Sequence, residues 1–209
     1  ILKHNYDETD FKAALQIAFE HDNTVLIEKF IPGREFRIFI INDEVVGILH
    51  RVPANVTGDG VLNIGQLIDR MNEDPLRGKG YRTPLEKIRK GREEEMFLKQ
   101  QGMDFNTVPK EREVVYLREN SNISTGGDSI DFTDDIDDSY KAIAVEAAKA
   151  LNVKITGLDM MIQDIHAPAT PDNYAIIEMN FNPAIHIHCY PFKGKNRHLN
   201  HKMIRALGF

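Results

Sequence analysis

Polar side chains with oxygen ligands interrupt two hydrophobic segments, Gly157–Ile162 and Ala175–Asn180. Asp159 lies in the first segment, between Leu158 and Met160. In the second, the period of two of a strand places Glu178 and Asn180 on one face and Met179 on the other. Two side chains on the same face of a strand lie about 6.5 Å apart, which leaves room for oxygen ligands to converge on hard cations between them.

Asp159 joins this pair if the two strands are neighbours in a sheet. Burial of three such groups without partners would cost several kcal/mol, and Mg²⁺ would compensate for that cost. The sequence therefore predicts a metal site formed by Asp159, Glu178 and Asn180. The alternative is structural: Asp159 is a hydrogen-bonded polar group at a strand end, and Glu178 is an ion-pair partner.

A second candidate is the segment from Val25 to Glu35, in which an apolar run enters a Pro32-Gly33 turn with an acid on each side, Glu28 and Glu35. Such a connection exposes backbone N–H and C=O groups that can recognise an adenine edge, and a carboxylate suits ribose hydroxyls. A plain hairpin with solvated acids explains the same residues.

A third candidate is the polar segment from Arg118 to Asp128, which contains Ser124-Thr125-Gly126-Gly127. Small residues let the backbone approach an anion, and Arg118 can supply charge, although the spacing is not that of a Walker loop. Arg51, at the end of a predicted strand, is another candidate anion ligand. The alternative for the segment is an ordinary surface loop.

Two further groups have a chemical interpretation. Residues 76–92 hold seven basic residues and one acid, a local charge of +6, which would attract an anionic substrate or simply form a solvated flap. His186, His188 and Cys189 would place two imidazoles on one face of a strand beside a thiol. Zinc prefers these residue types, but no fourth ligand is evident.

The elements that must position these residues follow from periodicity. Helical spacing begins at Asp10 and recurs at about 63–72, 93–101, 140–151 and 197–207, whereas β-branched and aromatic runs at 24–27, 36–41 and 44–50 predict three antiparallel strands. Further strands are predicted at 114–117, 155–163 and 174–180. Strands in adjacent groups favour an α+β fold with a largely antiparallel sheet flanked by helices.

Composition limits the functional classes. The 209 residues carry a net charge of −6, so we expect neither nucleic acid nor an anionic membrane as a partner. The single cysteine suits a reducing compartment, and with no apolar run long enough to cross a membrane and no signal peptide we predict a cytoplasmic protein. The chain starts at Ile1 in an apparent strand, so a fragment of a longer polypeptide is expected.

Four blocks in this order resemble the ATP-grasp ligases: Glu28–Arg37, Arg51–Gly60, Asn122–Gly127 and Glu178–Pro183. Two longer stretches, Asp74–Ile88 and Asn180–Pro191, are similar to the glutathione-forming members in which a glutamate–cysteine ligase is fused to a glutathione synthetase. Cyanophycin synthetases share several blocks. The resemblance covers nearly all of residues 1–209 and implies one ATP-grasp domain that lacks the N-terminal part of the fold.

The resemblance also implies roles for individual residues. The nucleotide would be bound by the adenine-lining set Glu28, Lys29, Phe30 and Ile31, with Glu35 on the ribose. Asp159, Glu178 and Asn180 would hold two Mg²⁺ or Mn²⁺ ions, and Arg118, Asn122, Asn120 and Arg51 would face the phosphates or the acceptor carboxylate. The phosphate-covering loop and two nucleotide-binding lysines of the family would precede Ile1.

The implied reaction joins γ-glutamylcysteine to glycine through an acyl phosphate, with ATP as the third substrate and glutathione, ADP and phosphate as products. The glutamate–cysteine ligase half of the same polypeptide would be a partner, and a homodimer is a further expectation. Two alternatives remain: another amide ligase of the family, such as a cyanophycin synthetase, or a nucleotide-binding module without catalytic activity.

Overall fold

The computed structural model describes residues 8–27, 29 and 31–209, which fall into two compact units, 1–32 and 33–209. The first unit contains helix α1, Glu8–Phe19, as the periodicity predicts. The predicted strand at 24–27 is wrong: these residues have no regular structure. Leu26 and Ile27 are 81% and 62% exposed, and no described strand pairs with them. Without a neighbouring strand, their β-propensity is not sufficient to form a strand.

The second unit holds the remaining elements. A 3₁₀ turn spans Ile123–Thr125. The strands are β1 Arg34–Ile41, β2 Glu44–Val52, β3 Asn55–Thr57, β4 Arg77–Gly78, β5 Leu85–Glu86, β6 Val114–Tyr116, β7 Asp128–Asp131, β8 Ile155–Ile162 and β9 Tyr174–Asn180. The helices are α2 Ile64–Met71, α3 Arg92–Gln100, α4 Asp138–Ala150, α5 His186–Cys189 and α6 Leu199–Ala206.

The main sheet has five strands in the order β7-β2-β1-β8-β9, and every neighbouring pair is antiparallel. The expected α+β class with a largely antiparallel sheet is therefore confirmed. The β1–β2 hairpin turns at Asn42 and Asp43, which adopt φ values of 46° and 63°. Two consecutive residues with positive φ form a tight turn whose twist matches the flanking strands.

One face of this sheet packs against α4 and forms the largest hydrophobic core. Its fully buried side chains include Phe36, Ile38, Ile48, Leu158 and Met160. Tyr140 and Ala144 of α4 pack on them at helical spacing. Because side chains alternate along a strand, this apolar face leaves the intervening residues of β1, β2 and β8 on the opposite face.

A smaller apolar cluster covers one end of the opposite face, where Phe39 and Val46 meet Cys189 of α5 and Leu199 of α6. The predicted strand around His186 is wrong, since His186–Cys189 is a short helix. Two residues that are two positions apart in a helix do not share a face, so the two imidazoles are not aligned.

A side layer completes the second unit. Strands β3 and β6 pair with each other, and α2 and α3 pack on them around Val56, Leu67, Leu98 and Val115. None of the helices in the described part of the chain has the length and apolar character that crossing a bilayer requires.

Candidate active site

The three predicted metal ligands lie on one face of the main sheet. In the β8–β9 ladder Asp159 is directly opposite Glu178, and Gly157 is directly opposite Asn180. Residues that face each other across a ladder project to the same side, so Asp159, Glu178 and Asn180 share a face. The amide of Asn180 donates to Glu178 Oε1 at 3.0 Å. The spacing inferred from the sequence is therefore present in the structure.

Two arginines hold the carboxylate of Asp159. Arg37, directly opposite it on β1, donates from Nε to Oδ1 and from Nη2 to Oδ2 at 2.8 Å. Arg51 Nη2 donates to Oδ2 at 3.0 Å. Asp159 is 2% exposed, so this is a buried ion-pair cluster. Gly157 has no room for a side chain, because a Cβ there would lie 2.8 Å from Pro183 Cβ and 3.1 Å from Arg37 Cδ.

The two arginines keep Asp159 ionised. Burial alone would raise the pKa of Asp159, but the hydrogen bonds from Arg37 and the charges of Arg51 and Arg37 together lower the pKa below its usual range. Glu178 lies directly opposite Asp159 in the β8–β9 ladder, so the two carboxyl groups are on the same face of the sheet. Two neighbouring carboxylates beside an amide oxygen favour a cation at this point.

Glu35 extends the cluster along β1. Its carboxylate pairs with Arg51 through Oε1 and accepts a hydrogen bond from the hydroxyl of Ser121 through Oε2. The expected ribose ligand is thus part of a continuous chain from Ser121 through Glu35 and Arg51 to Asp159. Ser121 belongs to the polar segment 118–128, so this segment contacts the same face of the sheet.

The structure does not bring Arg118 into this cluster. Its guanidinium pairs with Glu93 and with Glu94 Oε1, the latter at 2.6 Å, and Glu94 is 1% exposed. Arg118 therefore anchors the segment to α3, and its contact with the phosphates or the acceptor carboxylate stays a prediction. Asn122 is exposed beside Ser121, and its backbone carbonyl accepts from Thr125 and Gly127.

The two glycines of the same segment are explained by packing. Gly126 has a φ of 96°, and a Cβ there would lie 2.8 Å from Ile88 Cα. A Cβ on Gly127 would lie 2.8 Å from the carbonyl oxygen of Val52. Both positions require glycine because the backbone passes so close to its neighbours. Packing is thus sufficient to explain the two glycines.

The predicted adenine-binding residues are in the first unit. Glu28 and Phe30 lie outside the described residues, and Lys29 and Ile31 belong to residues 1–32. Their role therefore stays a prediction.

The predicted zinc alternative is not supported. Among the described residues, no group of three or more His, Cys, Asp and Glu side chains is arranged to hold a metal ion. The candidate set at β8 and β9 instead consists of two carboxylates and one amide, an all-oxygen set that suits Mg²⁺ or Mn²⁺.

The basic segment 76–92 is partly structural. Arg77 is buried and pairs with Asp128, and Lys90 pairs with Asp69 at 2.6 Å. Lys79, Lys87 and Arg89 line an open groove of about 940 Å³ between this segment and α2. Attraction of an anionic substrate by this groove stays a prediction.

His188 should make stability depend on pH. It is fully buried, neither ring nitrogen has a partner among the described residues, and burial, aided by the charge of Arg37, lowers its pKa to about 3. The unfolded state therefore binds more protons between pH 3 and 6.5, so stability falls as the pH drops through that window. This histidine should remove about 2 kcal/mol between pH 7 and pH 5.

Urea denaturation at both pH values measures this effect. A His188→Leu variant should lose that part of the pH dependence and remain as stable as the wild type at pH 7. An unchanged pH dependence in the variant would exclude His188 as its source.

Three residues of this face were not singled out from the sequence. Arg37 had a detectable signal, because alternation along Arg34–Ile41 places Glu35 and Arg37 on the same face. Ser121 had none, because its partner Glu35 is 86 positions away. Ile177 is 54% exposed, and the shift in register between Asp159 and Met160 leaves it without a partner in β8. It presents an apolar surface next to Glu178.

Comparison with known proteins adds the evolutionary relationship. The chain is 62% identical over all 209 residues to the glutathione biosynthesis bifunctional protein GshAB of Desulfotalea psychrophila, and 56% identical over 97% of its length to that of Clostridium perfringens. This chain is homologous to one region of those proteins. It spans 27% and 26% of their length. No protein-family model matches the chain.

A solved structure supports the fold. The crystal structure of a bifunctional glutathione synthetase from Pasteurella multocida matches with a TM-score of 0.80 and 45% sequence identity, over 96% of this chain and 28% of that one. The chain thus has the ATP-grasp fold of that region, as the resemblance implied, and it is related to the bifunctional proteins of glutathione biosynthesis.

Proposed function

We propose that this chain is the part of an ATP-dependent ligase that binds the metal ions and the nucleotide, and that the ligase joins γ-glutamylcysteine to glycine. One observation carries the proposal: Asp159 lies directly opposite Glu178 in a ladder that also brings Asn180 to the same face. Two arginines, the buried Arg37 and the partly buried Arg51, border the same carboxylate. The homology to bifunctional glutathione biosynthesis proteins supports the choice of substrates.

The donor set fits two divalent ions and the phosphates of ATP. An ionised carboxylate has about four lone-pair sites, so Asp159 can keep its arginine hydrogen bonds and still offer an oxygen to a metal ion. Glu178 is exposed and available. When bound, the ions would neutralise the charge on the phosphates and orient the γ-phosphate for transfer.

The charges of the chain itself serve the same reaction. A carboxylate is a poor electrophile. An oxygen of the C-terminal carboxylate of γ-glutamylcysteine therefore takes the γ-phosphoryl group from ATP, and ADP is released. The glycine amine then attacks the acyl carbon, loses a proton and expels phosphate. Both steps need positioning and charge neutralisation more than a protein nucleophile. Arg37 and Arg51 are held on this face by Asp159, where they can stabilise negative charge that develops on a phosphoryl group.

Further contacts with the nucleotide are proposed for residues of both sequence segments. Glu28, Lys29, Phe30 and Ile31 would line the adenine, Glu35 would bind the ribose, and Asn122 would face the phosphates beside Ser121. The exposed Ile177 would add apolar surface for the nucleotide. A glutamate–cysteine ligase region would supply the dipeptide, and a homodimer and a cytoplasmic location remain predictions.

The experiment compares two pairs of substrates. In the natural protein that contains these residues, release of ADP should require γ-glutamylcysteine plus glycine and should depend on Mg²⁺ or Mn²⁺. Aspartate plus arginine, the pair expected for a cyanophycin synthetase, should give no more than background. Equal or greater release with aspartate plus arginine would contradict the proposal.

A further inference from the structure

Ser121 makes a hydrogen bond that takes no part in the proposed reaction steps. Its hydroxyl donates to Glu35 Oε2, and among the described residues this hydroxyl has no other partner. The side chain of Ser121 lies in a residue that is 7% exposed, so the bond is largely shielded from water. A hydroxyl has one donor, and Ser121 uses it to restrict where the Glu35 carboxylate can point.

The carboxylate of Glu35 has one other partner in the described part of the chain, and that partner is shared. Glu35 Oε1 pairs with Arg51 through Nη2, and the same nitrogen donates to Asp159 Oδ2 at 3.0 Å. In the proposed reaction Arg51 stabilises negative charge on a phosphoryl group, so phosphates would compete with Glu35 for this guanidinium. Ser121 is then the partner that Glu35 keeps throughout the reaction.

The backbone around Ser121 is held on both sides. Arg118, three residues before it, pairs with the buried Glu94 at 2.6 Å. On the other side, the carbonyl oxygen of Asn122 accepts from the backbone N–H of Thr125 at 3.1 Å and from the Thr125 hydroxyl at 2.8 Å. The position of the Ser121 hydroxyl is therefore determined by the fold before any nucleotide binds.

A carboxylate binds two neighbouring hydroxyls only when both of its oxygens face them. The terminal torsion of a glutamate side chain is broad, so an unheld Glu35 would sample many orientations. Fixing the side chain in advance removes that entropy cost from ligand binding. A carboxylate has about four lone-pair sites, so each oxygen of Glu35 can keep its present partner and still accept from a ribose hydroxyl.

We propose that Ser121 is a positioning residue for the nucleotide. Its hydroxyl holds the Glu35 carboxylate in the orientation that accepts from the 2′- and 3′-hydroxyls of the ribose. This role rests on the proposed function, in which the ribose of ATP lies at Glu35. Ser121 thereby determines how strongly the site prefers a ribonucleotide to a deoxyribonucleotide, without contacting either.

The test uses variants of the natural protein that contains these residues. Ser121→Ala removes the donor, and Ser121→Thr and Ser121→Val form a pair of equal shape in which only Thr has a hydroxyl. Ser139→Ala is the matched control, because the Ser139 hydroxyl also donates to a carboxylate, that of Asp137, in α4 on the opposite face of the sheet. Isothermal titration calorimetry measures the Kd of ATP and of 2′-deoxy-ATP with Mg²⁺, and release of the nucleoside diphosphate gives kcat and KM.

The wild type should bind ATP at least about 10-fold more tightly than 2′-deoxy-ATP, as expected for one hydrogen bond to a charged group. Ser121→Ala and Ser121→Val should reduce this ratio to about 3-fold or less through weaker binding of ATP, with kcat changed by less than about twofold. Ser121→Thr and Ser139→Ala should keep the wild-type ratio. The double variant Ser121→Ala, Glu35→Ala should match Glu35→Ala alone, because Ser121 acts through Glu35.

The outcomes separate this role from the proposed function. An active ligase whose ratio is unchanged in Ser121→Ala, or falls equally in the Thr and Val variants, would overturn the role of Ser121 and leave the proposed function intact. A wild-type ratio near one, or a double variant clearly worse than Glu35→Ala, would also overturn it. A ratio that depends on the Ser121 hydroxyl, in a protein that does not join γ-glutamylcysteine to glycine, would support the role of Ser121 and contradict the proposed function.

Discussion

Replacing Asp159 with Asn is expected to lower the free energy of unfolding by about 3–5 kcal/mol. The side chain is 2% exposed and is the shared counter-ion of Arg37 and Arg51. Asn keeps the size of the residue but removes its charge. The variant therefore leaves two guanidinium groups in a poorly solvated site, where Glu35 is the one anion among the described residues that still pairs with Arg51.

Urea denaturation at pH 7 measures this loss. The matched comparison is Glu178→Gln, which changes the residue directly opposite but alters an exposed side chain. It should shift the unfolding free energy by less than about 0.5 kcal/mol. The double variant Arg37→Leu, Asp159→Leu should be less destabilised than the sum of its single variants, because the two residues interact directly. A loss below about 1 kcal/mol for Asp159→Asn would show that the arginines do not depend on this carboxylate.

The local part of the site could be predicted from the sequence. Alternation within β9 separates Glu178 and Asn180 from Met179, and this needs only the geometry of one strand. Placing Asp159 beside them needed one more assumption, that its strand is the neighbour of β9 in the sheet. The β8–β9 ladder confirms that assumption. The turn at Asn42 and Asp43 is equally local, because these two residues separate the predicted strands 36–41 and 44–50.

Contacts between distant segments could not be predicted in this way. Arg37 and Asp159 are 122 positions apart, and their pairing depends on which strand lies next to β1. Arg118 has the residue type of a phosphate ligand, and its ion pair with the buried Glu94 of α3 was not predicted from the sequence. The run at 24–27 has strand propensity, yet propensity forms a strand only where a partner supplies hydrogen bonds.

The arginine cluster has a consequence for the site as a whole. Arg37 and Arg51 keep Asp159 charged in a place where burial alone would favour its neutral form. An ionised carboxylate is the form that binds a divalent ion. The same ion pairs that stabilise the fold thus also maintain the proposed metal ligand in its binding form. A substitution at Asp159 should therefore affect both stability and activity, whereas one at Glu178 should affect activity alone.

Replacing Glu178 with Gln should reduce ligase turnover by at least about 100-fold while the protein stays folded. Glu178 is exposed, and Asn180 is its hydrogen-bond donor on the same strand, so the fold does not depend on its charge. Gln has the same size and keeps one carbonyl oxygen but carries no negative charge. The loss should therefore come from weaker binding of the metal ions and from poorer stabilisation of the transferred phosphoryl group.

Turnover is measured as ADP release with γ-glutamylcysteine and glycine over a series of Mg²⁺ concentrations, in the natural protein that contains these residues. Binding of Mn²⁺ is followed separately by electron paramagnetic resonance. Glu146→Gln is the control, since it makes the same chemical change at an exposed position of α4, which packs on the opposite face of the sheet. Glu178→Gln should bind Mn²⁺ more weakly and need more Mg²⁺, and Glu146→Gln should match the wild type. Turnover of Glu178→Gln within twofold of the wild type would exclude a metal-dependent catalytic role for Glu178.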